Sequence, residues 1–162
     1  AEEHDVAAGA LTDRNVLYAA MPFTDACKGE GVQPIVGAML GVARPGTQGG
    51  IAERDSRPLI DWLALYAQDE AGYQNLCALV SAAHLDRPVE EEAHVRFEAL
   101  EGRTSGLLAL TGGGEGAVAR LLAAGQQSAA EQYLTDLQRI FAGRLYVGLS
   151  RRGDSAKMNL PD

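Results

Sequence analysis

Apolar residues along the chain fall into short runs that alternate with stretches of helical periodicity. Val6 to Leu11 is an apolar run that predicts a buried strand. From Leu17 to Lys28, residues Leu17, Ala20, Met21, Thr24 and Cys27 share one helical face. Pro22 weakens the first turn of that helix, and Gly29 and Gly31 supply its stop. Pro34 to Ala38 is a second strand that can extend to Val42, and Ala43 to Arg57 is a loop rich in Gly, Pro and charge. Pro58 to Ala67 is a third strand. A helix over Ala71 to Ala83 follows, with the stripe Tyr73, Leu76, Cys77 and Val80. Asp86 to Ala93 is an acidic connector, and Val95 to Leu100 a short helix. Gly106 to Leu110 is a fourth strand, with helices expected over Ala117 to Ala124 and Ser128 to Phe141, and Arg144 to Leu149 is a fifth strand.

Strands alternating with helices predict an α/β fold built on a parallel sheet or barrel. In such folds the chemistry gathers at the C-terminal ends of the strands. Those positions are Asp13 and Arg14, Ala38 and Met39, Thr111 to Gly113, and Ser150 to Arg152. Trp62, inside the third strand, can also point inward.

The bulk properties narrow the function classes. A chain of 162 residues is one domain by default. It can bury about two thirds of its unfolded surface. The apolar share of 46% and charged share of 22% are those of an ordinary globular protein. A net charge of −8 argues against this segment gripping a phosphate backbone alone, which needs clustered Lys and Arg. Cys27 and Cys77 sit amid apolar residues on predicted helices, so reduced buried thiols and a cytoplasmic setting are expected. No apolar run reaches membrane-span length and no signal peptide is visible, so no membrane partner is expected. Ala1 to His4 read like the tail of a helix already under way, and Asp154 to Asp162 is a polar tail. The chain is therefore expected to be a piece of a longer one.

Several residues invite chemistry. Asp13 suits a metal ligand or general base, and equally a cap on the following helix, the commoner role. The stretch LTGGGEG, Leu110 to Gly116, lies between a strand and a helix, where backbone N–H groups bind anions. It lacks the Lys-Ser/Thr of a nucleotide loop, and a tight turn needing positive φ is the simpler account. His4, His84 and His94 have no ligand-like spacing to Cys or to one another. Glu90 to Glu92 reads as a solvated charge run, and Arg151 and Arg152 as an exposed pair. No Ser-His-Asp or Cys-His set assembles.

Three stretches together carry a resemblance: ALTDRNVLYAAMPFTDACKGEGVQPIVGAMLGV, AQDEAGYQNLCALVSAAHL, and the segment from GLLALTGGGEGAVARLLAAGQ through AEQYLTDLQRIFAGRLYVGLSRRG. In order and spacing they resemble the amino-terminal PHP (polymerase and histidinol phosphatase) domain of the bacterial replicative DNA polymerase III alpha subunit. The similarity runs from Val6 to about Gly153, and GYQNLCALVS is among its most specific parts. It implies a partial PHP-type (β/α) barrel over residues 1–153 that lacks the first and last strands, with 154–162 leading on to the rest of the polypeptide. Missing strands would leave unpaired edges.

The resemblance also implies a metal cleft that has lost its ligands. Metal-binding members carry Asp-His where this chain has Asp13-Arg14, a carboxylate where it has Met39, a His where it has Trp62, and often a Cys where it has Gly113. A guanidinium cannot coordinate a metal and repels one. A thioether is poorly suited to hard divalent ions, and indole and glycine offer no donor pair. Asp13 is the one retained ligand. Arg14 is expected to pair with it and fill the cleft. The segment is thus expected to be a non-catalytic scaffold without a cofactor of its own, within a polymerase that uses Mg2+. Its implied partners are the rest of the alpha subunit, a separate proofreading exonuclease, and DNA through other domains. The competing expectations are a metal-dependent phosphoesterase or 3′-5′ exonuclease, and a small module binding an anion at Gly112 to Gly114.

Overall fold

The computed structural model describes residues 7–46 and 58–149. Strand β1, Ala8–Arg14, leads through a buried turn at Asn15 into helix α1, Ala20–Gly29. Strand β2, Gln33–Ala43, and strand β3, Ile60–Ala67, precede helix α2, Glu70–Leu85. Asp69 caps α2 by accepting from the Gly72 N–H at 2.8 Å, which satisfies one of the helix's free donors. A two-residue strand β4, Val95–Arg96, runs into a 3-10 turn at Phe97–Leu100. Strand β5, Leu107–Thr111, ends in a second 3-10 turn at Gly113–Glu115. Helices α3, Ala117–Ala123, and α4, Gln127–Phe141, precede strand β6, Leu145–Tyr146.

The strands form one sheet in the order β1-β2-β3-β5-β6, and β4 pairs with the far end of β2. Because β3 holds one edge of β2, strands β1 and β4 share its other edge end to end. The all-parallel expectation is corrected here. Strand β3 runs antiparallel to both β2 and β5, while the β1-β2, β2-β4 and β5-β6 pairs are parallel. The alternation of strand and helix already breaks between β2 and β3, where the sequence reads as loop, and an antiparallel neighbour needs no crossover helix. Among the described residues the sheet is open: β1 and β6 are its terminal strands and do not pair with each other.

Smaller differences have simple causes. Val95 to Leu100 is a strand and a 3-10 turn instead of a short helix, since Val95 finds a sheet partner in Val42. Only Leu145–Tyr146 of the last predicted strand pairs. Met21 is 69% exposed, so α1 buries Cys27 and packs Leu17 at its entry without a full stripe. The face that α2 buries is centred on Gly72, Leu76, Leu79 and Ala83. Tyr73 therefore lies toward its edge. The predicted loop over Ala43 to Arg57, except its first four residues, and the readings of His4, Arg151, Arg152 and the tail 154–162 lie outside the described residues.

Strand residues alternate between two faces. Ala38, Leu40 and Val42 of β2, Leu63 and Leu65 of β3, and Leu107 and Ala109 of β5 point to the side covered by helices. There they join Leu76 and Leu79 of α2, Leu121 of α3, and Tyr133, Leu137 and Phe141 of α4 in one core. Each fully buried Leu contributes about 1.5–3 kcal/mol of transfer free energy. The register places Arg14, Met39, Ala64, Leu110 and Tyr146 in one row across the opposite face. Below that row an open apolar groove of about 930 Å³ is lined by Ala8, Ala10, Ile35, Tyr66 and Leu108 among others.

Candidate functional site

The site expected at the strand ends divides between the two faces of the sheet. Arg14, Met39 and Trp62 share the face away from the core helices, with Arg14 beside Met39 and Trp62 beside Gly41. Asp13 is paired with Ala38, which is fully buried in the core, and it lines a small cavity with Leu11, Leu17, Phe23 and Val36 under α1. Asp13 therefore points away from Arg14, as successive strand residues must.

The Arg14 guanidinium makes two other contacts. It lies 4.7 Å from the centroid of the Trp62 ring. Its Nη2 donates to Glu115 Oε2 at 2.5 Å. Strands lie roughly 4.8 Å apart, so β1 and β3 are separated by about 10 Å across β2. Arg14 is long enough to cross that gap. Both charges of the Arg14–Glu115 pair are about half exposed, so the pair by itself is worth little. Trp62 beneath is 6% exposed. The pairing expected between Arg14 and Asp13 is replaced by this bridge to Glu115.

The Gly-rich turn after β5 brings Glu115 into place. A Cβ on Gly112 would lie 2.0 Å from the Trp62 carbonyl oxygen, so only glycine lets the turn pass against β3. Gly113 has φ +57 with open space around it. A metal ligand was expected to be lost at Gly113; the turn there sets the path of the chain and carries a carboxylate.

Asn15 is the residue that sequence reasoning missed. It is 2% exposed and has φ 52, a left-handed conformation that Asn tolerates better than most residues. Its N–H donates to the Met39 carbonyl at 2.8 Å, and its Nδ2 to the Ala93 carbonyl at 2.6 Å. Its Oδ1 accepts from the Gly41 N–H at 2.9 Å. Its own carbonyl accepts from His84 Nε2 at 2.7 Å, which places the ring proton on Nε2. One residue thus ties the end of β1 to β2 and the acidic connector through its side chain, and to the end of α2 through its carbonyl. A polar residue that follows a strand and favours positive φ was the signal available in the sequence.

Asp61 forms a second buried cluster at the same end of β3 as Trp62, on the core face. It is 1% exposed and takes a two-pronged pair from Arg44, with Nε to Oδ2 and Nη2 to Oδ1 both at 2.8 Å. Arg120 Nη1 adds a bond to Oδ1 at 3.1 Å and another to the Ile60 carbonyl at 2.7 Å. The bond from Asp61 raises the Arg44 pKa, and burial opposes it. This cluster joins β2, β3 and α3, and structural anchoring accounts for it.

Among the described residues, no group of three or more His, Cys, Asp or Glu gathers in metal-binding geometry. The donors on the Arg14 face do not fit a metal: the long cation lies over Trp62, and the nearest carboxylate is engaged with it. Among the described residues no helix is long and apolar enough to cross a membrane.

An open α/β sheet with one helix-covered face and a strand-end cluster on the other defines the structural class. Residues 1–152 match the family model "PHP domain", and the chain belongs to that family. It is 39% identical over 153 residues to the DNA polymerase III subunit alpha of Caulobacter vibrioides, covering 94% of this chain and 13% of that protein. It is 31% identical over 151 residues to that of Rickettsia bellii, covering 93% and 12%. For Bacillus subtilis the identity is 31% over 132 residues, covering 82% and 11%. The chain thus spans little more than a tenth of the curated relatives it matches.

Proposed function

We propose that this PHP domain is a non-catalytic part of a DNA polymerase III alpha subunit, a DNA-directed DNA polymerase that uses Mg2+ elsewhere in its chain. Its strand-end cleft is held by a protein cation instead of a metal. The observation that carries the reading is Arg14, which spends its charge on Trp62 and Glu115 where a metal-binding relative would place a ligand. Met39 and Trp62 on the same face add no hard donor. Asp13 stands on the opposite face. The domain then acts by contact: with the rest of the alpha subunit and with a separate proofreading exonuclease, while DNA is met through other domains.

The test is anomalous diffraction from crystals grown with Mn2+ or Zn2+, together with hydrolysis assays on a simple phosphomonoester and on 3′ ends of single-stranded DNA. No anomalous peak near Arg14 and no metal-dependent hydrolysis is the expected result. A peak with Asp13 at bonding distance, or metal-stimulated release of nucleotides, would overturn it in favour of a PHP-type phosphoesterase or exonuclease.

A further inference from the structure

We draw no further inference here: the strongest candidate, the open apolar groove of about 930 Å³ between Ala8 and Leu108 on the face of the sheet away from the core helices, is an unpartnered face and nothing in the structure shows what covers it.

Discussion

The guanidinium of Arg14 stands 4.7 Å from the ring centroid of Trp62, although the two lie on strands that are not neighbours. Trp62 is the single tryptophan of the chain, so its fluorescence reports on this contact directly. Arg14→Ala should move the emission to longer wavelength as water reaches the ring. It should also lower stability by about 0.5–1 kcal/mol, the worth of an exposed cation–π contact. Glu115→Gln keeps the cation in place and should leave the emission nearly unchanged. Urea unfolding and emission spectra of the two variants check both points, and an unshifted spectrum in Arg14→Ala would mean that Arg14 does not cover Trp62.

Asn15 makes a larger prediction from a smaller side chain. Asn15→Ala strands the Gly41 N–H and the Ala93 carbonyl, both of which it satisfies. It also puts a residue with little tolerance for positive φ at φ 52. A loss of about 2–4 kcal/mol is expected, since each unsatisfied buried group costs about 1–3 kcal/mol. Asn15→Asp should fail too, because an oxygen would then face the Ala93 carbonyl. Denaturation midpoints of the two variants supply the check. Asn15→Asp as stable as the parent would show that the Nδ2 bond is unimportant.

The Asp61 cluster predicts a contrast between two arginines. Arg44→Ala leaves the buried Asp61 carboxylate without its two-bond partner, and should cost about 3–5 kcal/mol. Arg120 has a side chain 40% exposed and meets the same carboxylate at longer distance. Arg120→Ala should cost about 0–1 kcal/mol through that pair. Chemical unfolding of the two variants separates the cases, and equal losses would reject the ranking.

Much of this architecture could be read from the sequence, for reasons visible in particular residues. The runs at Pro34, Pro58 and Gly106 are apolar enough to mark strands, and each was found with its ends shifted by a few residues. The direction of β3 was not legible, because hydrophobic period is the same for a strand running either way. The partners of Arg14 were lost through one boundary. With the strand ended at Leu11, Asp13 and Arg14 belong to a turn and are free to pair. With β1 continuing to Arg14, alternation sends them to opposite faces. Glu115 and Asn15 carry no local pattern of their own, since their roles depend on residues 101 and 78 positions away. Gly113 was noticed as a missing ligand, whereas Gly112 is the glycine whose close approach to Trp62 shapes the turn.

The last prediction concerns alkaline pH. Burial, and after it the nearby Asp61 carboxylate, push the Tyr133 phenol well above its usual range, while Arg44 pulls the other way. Its usual pKa is about 10. Below that value the phenol is neutral in both folded and unfolded chains, and its contribution to stability is fully present. As pH rises past about 10 the unfolded chain ionises while the folded one does not, so the unfolded state binds fewer protons and stability falls. The loss continues until the folded pKa is reached. Tyr133→Phe removes this term and should leave neutral-pH stability within about 1 kcal/mol. The stability difference between parent and variant should then shift steadily in favour of Phe above about pH 10. Urea unfolding of both across the alkaline range gives that difference free of the other titrating groups they share. A difference that stays flat with pH would show that Tyr133 ionises as readily folded as unfolded, and that the Phe97–Tyr133 packing at 5.3 Å admits water.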